Sequence, residues 1–178
     1  MIGVSDPHLP AQLLKRLEAF YDQLDEKIAS HQPICRNRGA CCRFDSYGHR
    51  LFVTGLEMHW FLHHHADAVG QLAVQGGASE TACTARPAVT PHRLPVLKPD
   101  KAAGCPFQQH GQCTTRIGRP VGCRVFFCES EREGWQGELS EWALAQLKQF
   151  HQDFASPYTY TEWLRALQNL EIPEPPNS

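Results

Sequence analysis

The feature that most constrains this chain is the separation of its cysteines into two groups. The first group lies in the segment CRNRGACCR and the second in CPFQQHGQCTTRIGRPVGCRVFFC. Thiols grouped in this way form either a disulfide framework or a set of soft ligands for zinc, iron or an iron–sulfur cluster. We expect folding to close one shared site from both groups. The candidate ligands are Cys35, Cys41, Cys42, Cys105, Cys113, Cys123 and Cys128.

The length and charge of the chain narrow these alternatives. With 178 residues it can bury a hydrophobic core, so it does not need disulfides to fold. Its N-terminus has no charged segment followed by an apolar run, and no stretch approaches the ~20 apolar residues of a membrane span. We therefore expect a soluble cytoplasmic protein with no membrane association. Thiols stay reduced in the cytoplasm, which favours metal ligation over disulfides.

Charge also bears on the partners. The chain has 17 Lys and Arg residues against 19 Asp and Glu, so no basic field indicates nucleic acid binding. Glycine-rich nucleotide loops and the Gly-x-Ser-x-Gly motif of serine hydrolases are also missing. The expected partner is a metal ion, and a protein partner stays unknown.

Apolar periodicity predicts a mainly α fold, a single small domain of about four principal helices. The first helix follows Asp6-Pro7 and stops before Pro33, the second starts with a capping box at Thr54 and Glu57, and two more lie near the C-terminus. We expect Ser140 to cap the third, and Thr159 with Glu162 to form a capping box for the fourth. The helices should bury apolar side chains beside the cysteines: Leu17, Leu24, Trp60, Leu147, Phe150 and Leu167.

A short irregular or β-hairpin region is expected to hold the cysteine cluster. The segment CPFQQHGQCTT is typical of two short strands around a turn containing Gly111, which would bring Cys105 and Cys113 together. Prolines in the stretch 87–99 favour an extended or loop path. Residues 1–172 thus form one metal-binding domain, and residues 173–178 a disordered tail.

Cysteine spacing separates the possible metals only weakly. Structural zinc sites use Cys-x2–4-Cys pairs, and here only the pair Cys123 and Cys128 falls within that range. Iron–sulfur clusters tolerate less uniform spacing, including Cys-x4-Cys. The spacing therefore leans to iron and leaves zinc open. Ordinary buried cysteines are the competing interpretation, which the clustering disfavours; for the isolated Cys83 that interpretation is preferred.

In their order along the chain, these motifs resemble the CxxCxxCC (YkgJ-like) cysteine-cluster family of zinc- or iron-chelating domains. The resemblance covers about residues 35–128. The matching residues are Cys35, Gly39, Cys41, Cys42, Thr54, Glu57, Gly104, Cys105, Phe107, Gly111, Cys113, Arg119, Pro120, Cys123 and Arg124. It implies a metal-chelating cluster of cysteines. A related cluster occurs in flagellin lysine N-methylases, so the resemblance also leaves a methylase-like enzyme open.

The chain departs from the family at one position. Arg38 stands where the family has its second cysteine, and Cys128 could replace that ligand. Several thiolates on a divalent ion carry net negative charge, which guanidinium donors can offset. Candidate counter-charges, each equally interpretable as an ordinary arginine, are Arg38, Arg43, Arg119 and Arg124.

The run His63–His65 invites a metal interpretation, but consecutive helical side chains fan out and cannot converge on one ion. We expect this run to form a solvated polar face. Three functions are then in competition: a non-catalytic iron or zinc carrier, sensor or accessory factor; an enzyme that uses the cluster; and an interaction domain stapled by structural zinc. The first is favoured, so an enzyme is the less favoured interpretation.

Overall fold

The structure is a computed structural model that describes residues 9–35, 39–44, 48–76, 104–127 and 133–170. The described residues form three long helices and two short ones: α1 Ala11–Ser30, α2 Gly55–Gly76, α3 Val121–Val125, α4 Glu133–Asp153 and α5 Trp163–Gln168. The strands are β1 Phe52–Thr54, β2 Gln108–Gln109, β3 Gln112–Cys113 and β4 Tyr160–Glu162. A 3-10 turn, Ala40–Cys42, carries Cys41 and Cys42 of the first cysteine group.

Helix α1 forms because its apolar residues recur at helical spacing and therefore share one face. Buried on this face are Leu13, Leu17, Phe20, Tyr21, Leu24 and Ile28. The face packs against α4, where the Phe20 ring meets Phe150 edge-on at 5.7 Å between centroids. An ion pair of 2.5 Å between Arg16 and Asp153 closes the partly exposed rim of this contact. The predicted N-terminal signal at Asp6-Pro7 lies outside the described residues.

The capping box at the start of α2 is confirmed. The Glu57 backbone N–H donates to Thr54 Oγ1 at 3.3 Å, and the Thr54 N–H donates to Glu57 Oε2 at 2.7 Å. The second oxygen, Glu57 Oε1, accepts the N–H of Val121 at 2.8 Å. One buried carboxylate thus joins the start of α2 to the start of α3, two residues before Cys123. Its own pKa is raised by burial, which these N–H donors oppose.

Strands β1 and β4 form an antiparallel pair that the sequence interpretation missed. Phe52 is opposite Glu162, and Thr54 is opposite Tyr160. The predicted capping box of Thr159 and Glu162 is therefore wrong. Glu162 belongs to β4 and precedes α5 without any side-chain cap, because the ladder to β1 already occupies this segment.

The prediction for Ser140 is also wrong. Helix α4 starts earlier, at Glu133, so Ser140 lies about two turns inside it. Its hydroxyl donates to the Gln136 carbonyl oxygen at 2.7 Å, four residues back in the same helix. A serine in this position bonds within the helix and does not begin it.

The predicted hairpin is present. β2 and β3 pair antiparallel with Gln109 opposite Gln112. The two loop residues, His110 and Gly111, both have positive φ, 50° and 78°. Positive φ at both loop positions is the property of the type I′ turn, which matches the twist of the paired strands.

The described residues form a mainly α-helical single small domain, as predicted. All six apolar residues expected in the core are buried, with Trp60 and Phe150 the most exposed at 5%. None of the described helices is both long and apolar enough to cross a membrane. The predictions for the proline-rich stretch 87–99 and for the tail 173–178 fall outside the described residues.

Candidate metal centre

Close backbone packing seats the first cysteine group against the hairpin. Gly39 has φ +65°, and a Cβ at this position would meet the Gly111 carbonyl oxygen at 2.4 Å. The Gly39 carbonyl in turn accepts a hydrogen bond of 2.9 Å from the Gln108 side-chain amide. Glycine is required here for both the left-handed conformation and the close approach. The contact spans 69 positions of sequence and joins the two cysteine groups.

A second backbone contact places the cysteines themselves together. The Cys105 N–H donates to the Cys42 carbonyl oxygen at 2.7 Å. The sulfurs of Cys41 and Cys42 are 3.9 Å apart. Cys42 is buried, whereas Cys41 and Cys105 are half-buried. Within the described residues, the two groups therefore meet at Cys42.

The pKa values of the thiols show how closely they interact around Cys42. The Cys105 and Cys113 thiols, together with Cys41 and burial, raise the pKa of Cys42. Conversely, interaction with the Cys42 thiol lowers the pKa of Cys41 to about 6 and that of Cys113 to about 5, against the opposing effect of burial. Cys42 is therefore the thiol with which Cys41, Cys105 and Cys113 all interact. Thiolates are the form of cysteine that binds metals.

Cys123 completes this group from helix α3. Burial raises the pKa of its thiol. The nearby Cys105, Cys41 and Cys113 thiols raise this pKa further, because their negative charge disfavours a second thiolate. We call the five thiols that interact in this way the cysteine cluster. Its members are Cys41, Cys42, Cys105, Cys113 and Cys123.

The remaining candidate ligands are not placed in the cluster by these contacts. Cys35 is exposed in the segment that follows α1. Cys128 and Arg38 lie outside the described residues, as does Cys83. None of the six described cysteines forms a disulfide. The predicted participation of Cys35 and Cys128 in the site stays a prediction.

The predicted counter-charges differ in their positions. Cys42 is the largest influence on the pKa of Cys41 and Cys113, and burial the largest on that of Cys123; the Arg119 guanidinium makes a smaller contribution that lowers the pKa of all three. It also donates to the Cys123 carbonyl oxygen at 3.4 Å. Among the described arginines, Arg119 is therefore one whose charge acts on the cluster.

Arg124 and Arg43 have other environments. The buried Arg124 guanidinium pairs with Asp25 at 2.5 Å, donates to the Ile117 carbonyl and lies 4.5 Å from the centre of the Tyr21 ring. These contacts hold the loop before α3 against α1, so the structure favours a structural role for this arginine. Arg43 is exposed beside the 3-10 turn.

The histidine run is only partly the solvated face that was expected. His63 and His64 are exposed, but His65 is half-buried and leaves helical geometry at φ −138°. Its Nε2 accepts the N–H of Gly118 at 3.3 Å. A Cβ on Gly118 would contact the His65 ring at 2.9 Å, so this glycine permits the packing. The ring thus fixes the loop after Cys113 against α2.

The spacing of the thiols can be compared with what a metal requires. Four thiolates at about 2.3 Å around a tetrahedral ion lie about 3.8 Å from one another. The Cys41–Cys42 sulfur separation of 3.9 Å fits this value. Within the described ranges, however, no three His, Cys, Asp or Glu side chains already have the arrangement that holds a metal ion.

A buried polar atom beside the cluster also bears on metal binding. Trp163 is 2% exposed, and its indole N–H has no regular hydrogen-bond partner in the described part of the chain. This N–H is nonetheless near enough to Cys105 to favour its thiolate: Cys42 chiefly lowers the pKa of Cys105, and Trp163 adds to that effect. A buried donor that favours the thiolate form of Cys105 is compatible with thiolate ligation.

A cavity of about 210 Å³ adjoins the cluster. Cys41 and Cys123 lie in its wall, so two of the sulfur-bearing residues border a space that a small molecule can enter. The stacked rings of Phe52 and Tyr160, 5.5 Å apart and both partly exposed, lie on its outer side. His49 lines the cavity between Cys41 and the Phe126 ring.

Trp163 and His65 were not recognised from sequence as parts of the site. Trp163 has the helical spacing of a core residue, and it is one, so only its position reveals the N–H near a sulfur. A comparison with protein-family models finds no match to this chain. Curated proteins and solved structures likewise include no significant match. The likeness to the CxxCxxCC family accordingly remains an expectation from the residues.

Proposed function

We propose that this chain is a metal-binding protein whose cysteines chelate iron, as an ion or an iron–sulfur cluster, or zinc. The cysteine cluster supplies the ligands, with Cys35 and Cys128 as further candidates. The observation that carries the proposal is the meeting of thiols from two groups more than 60 positions apart at Cys42. We assign the protein a role as a carrier, sensor or accessory factor in the cytoplasm.

Three properties of the cluster support metal binding over a set of ordinary buried thiols. The thiols interact with each other, and neighbouring thiolates repel one another unless a cation lies between them. Two of them, Cys41 and Cys113, ionise below neutral pH. Arg119 supplies a positive charge to offset thiolates bound to a divalent ion.

Iron is preferred because the candidate ligands are all thiols and because no Cys-x2-Cys pair occurs in the chain. When bound, iron or an iron–sulfur cluster would supply electron transfer or ligand sensing at this position. The protein residues contribute the thiolates, the counter-charge of Arg119 and a surrounding shell of apolar side chains.

The experiment is purification of the whole chain without oxygen, followed by elemental analysis, sulfide determination and a visible spectrum. We expect near-stoichiometric metal, with iron and acid-labile sulfide. Replacing Cys42 or Cys123 by serine should abolish binding, because a serine hydroxyl is a poor ligand for a soft metal.

Cys83→Ser is the matched control and should bind metal like the natural chain. A colourless protein containing zinc would overturn the preference for iron and keep the chelating site. A folded protein without metal would overturn the proposed function. Loss of binding in Cys83→Ser as strong as in Cys42→Ser would contradict the assignment of the cluster.

A second candidate, an enzyme that uses the cluster, is favoured by the cavity beside Cys41 and Cys123. Catalytic metal sites keep one position open to a substrate, whereas structural sites are closed. Cobalt-substituted protein treated with azide separates the two. A changed cobalt spectrum indicates an open position and supports the enzyme; an unchanged spectrum supports the non-catalytic role.

A further inference from the structure

The outer face of the β1–β4 pair carries a cation beside two aromatic rings. Burial alternates from Arg50 to Val53: the first and third of these residues are exposed, and the second and fourth are buried. The Leu51 carbonyl oxygen accepts the Trp163 N–H at 2.8 Å, so hydrogen bonding between the two segments extends back to Leu51. Successive side chains of an extended segment point to opposite faces, and Arg50 therefore lies on the same face as Phe52.

Tyr160 of strand β4 belongs to the same face. It is opposite Thr54 in the ladder and thus diagonal to Phe52, within reach of an aromatic side chain. The two rings stack with 5.5 Å between centroids and 23° between planes, and both are partly exposed. Within the described ranges, no ion pair or side-chain hydrogen bond involves the Arg50 guanidinium. A cation without a protein partner thus lies on the face that bears the stacked rings.

These three residues lie in the wall of the cavity of about 210 Å³ that borders Cys41 and Cys123. Because all three are exposed, they form its rim, and apolar side chains such as Val121 and Leu144 line the space behind them. Glu57 is also in the wall, but both its oxygens already accept backbone N–H groups. The cavity therefore combines an apolar interior with a cation at its mouth.

The chemistry of the wall selects a class of ligand. A flat aromatic group packs favourably against aromatic rings, and a guanidinium binds a carboxylate through two parallel hydrogen bonds. The charge of Arg50 disfavours a cationic ligand, and the Glu57 carboxylate disfavours a second negative charge deep in the cavity. The volume of about 210 Å³ is below the range of about 300–1,000 Å³ typical of pockets for drug-sized molecules, so the ligand has to be small.

We propose that this cavity binds a small aromatic carboxylate, with its ring against Phe52 and Tyr160 and its carboxylate on Arg50. The bound molecule borders Cys41 and Cys123, so it adjoins the metal centre when a metal is present. Recognition by the rings and the guanidinium needs no metal. The inference therefore goes beyond the proposed function and does not depend on it.

The test is equilibrium dialysis of the whole chain, purified without oxygen, against ¹⁴C-labelled benzoate. We expect one equivalent to bind, and the neutral analogue benzamide to compete at least about 10-fold more weakly. Arg50→Gln should weaken benzoate binding by about 10-fold, because it removes the charged donor. Arg165→Gln is the matched control, since Arg165 is also exposed but lies outside the cavity wall. It should bind benzoate like the natural chain.

A second pair of variants tests the aromatic rim. Tyr160→Leu should weaken benzoate binding by about 3- to 10-fold. Tyr158→Leu is its control, because Tyr158 is equally exposed, 46% against 47%, and lies outside the cavity wall. Circular dichroism verifies that all variants keep their helices. Equal binding of benzamide and benzoate would overturn the role of Arg50, and equal losses in the two tyrosine variants would overturn the assignment to this cavity.

The metal content of the same samples separates this inference from the proposed function. Protein that contains metal but binds no benzoate overturns the inference and leaves the chelating site. Folded protein without metal that binds benzoate, and loses it in Arg50→Gln, supports the inference and overturns the proposed function.

Discussion

The helical core and the cysteine region of this protein are held together by different forces. The helical core is the packing of α1 and α4 with the first turns of α2, and its interior is apolar. The cysteine region comprises residues 39–44 and 104–127, where specific backbone contacts join short segments. Burial of apolar area stabilises the first in proportion to that area, whereas the second depends on a few contacts of fixed geometry.

This difference indicates where the protein can tolerate change. A helical stripe loses stability gradually as side chains are shortened, because the rest of the stripe still packs. In the cysteine region one added methyl group can separate the two thiol groups, since Gly39 approaches the Gly111 carbonyl so closely. Stability and metal affinity should therefore respond to different substitutions.

The largest effect on stability is expected from Leu147→Ala. Leu147 belongs to α4 and is fully buried in the core that α4 shares with α1. Truncation of such a side chain lowers the free energy of unfolding by about 2–5 kcal/mol. Urea unfolding followed by circular dichroism measures the loss, and metal content should stay unchanged. The exposed neighbour Lys148→Ala is the control. A fall in metal stoichiometry in folded Leu147→Ala would show that the two regions are not independent.

Gly39→Ala should reverse this pattern, with strong loss of metal binding and little loss of helix. Gly48→Ala is the matched control, because Gly48 has the same φ of +65° with no atom within 4 Å of an added Cβ. The left-handed conformation costs about 1–2 kcal/mol in both variants, and only Gly39→Ala adds the clash with the hairpin. Metal titration of the two proteins measures the difference. Equal affinities would contradict the close packing described for Gly39.

Glu57→Gln tests the link between the two regions. Both carboxylate oxygens accept backbone N–H groups, from Thr54 and Val121. Glutamine keeps only one acceptor oxygen, because its NH2 group is a donor. One buried N–H would lose its partner, which should lower the free energy of unfolding by about 1–3 kcal/mol. Denaturant unfolding of Glu57→Gln beside the exposed Glu141→Gln measures this. An unchanged stability would mean that relief of the buried charge offsets the lost bond.

The smallest effect is a pH dependence from His151, which is remote in sequence from the cysteine region. Burial lowers the pKa of His151, against hydrogen bonds to the Ser156 and Pro157 backbone, and its Nδ1 lies 3.3 Å from the Ser156 carbonyl oxygen. The unfolded chain therefore binds a proton more readily. The contribution of the neutral His151 ring to the free energy of unfolding should be complete above the unfolded pKa near 6.5. It should be lost as the pH falls toward the folded pKa, by at most about 1.4 kcal/mol per pH unit.

Urea unfolding between pH 7.5 and 5 measures this slope. His151→Gln, which does not titrate, should have the shallower slope over that range. If both proteins lose stability in parallel, other groups account for the acid sensitivity.

Local sequence signals predicted the parts of the fold that depend on neighbouring residues. The apolar stripe of α1, the capping box of Thr54 and Glu57, and the turn at Gly111 are each encoded within a few positions. The errors at Ser140 and Thr159 arose where a capping pattern was present but a longer helix or a strand pair prevailed. A local pattern is outweighed when distant residues complete the hydrogen bonds of the same backbone.

The sequence alone determined where the two cysteine groups, the turn glycines and the apolar stripes of the helices lie along the chain. Only the tertiary structure decided that Arg119 accompanies the cluster while Arg124 pairs with Asp25, and that the Trp163 N–H lies near Cys105. The physical reason is that electrostatic and hydrogen-bonding partners are selected by distances of a few ångströms. These distances follow from how α3 and α5 pack against α2, β1 and the hairpin, and no spacing along the chain specifies them.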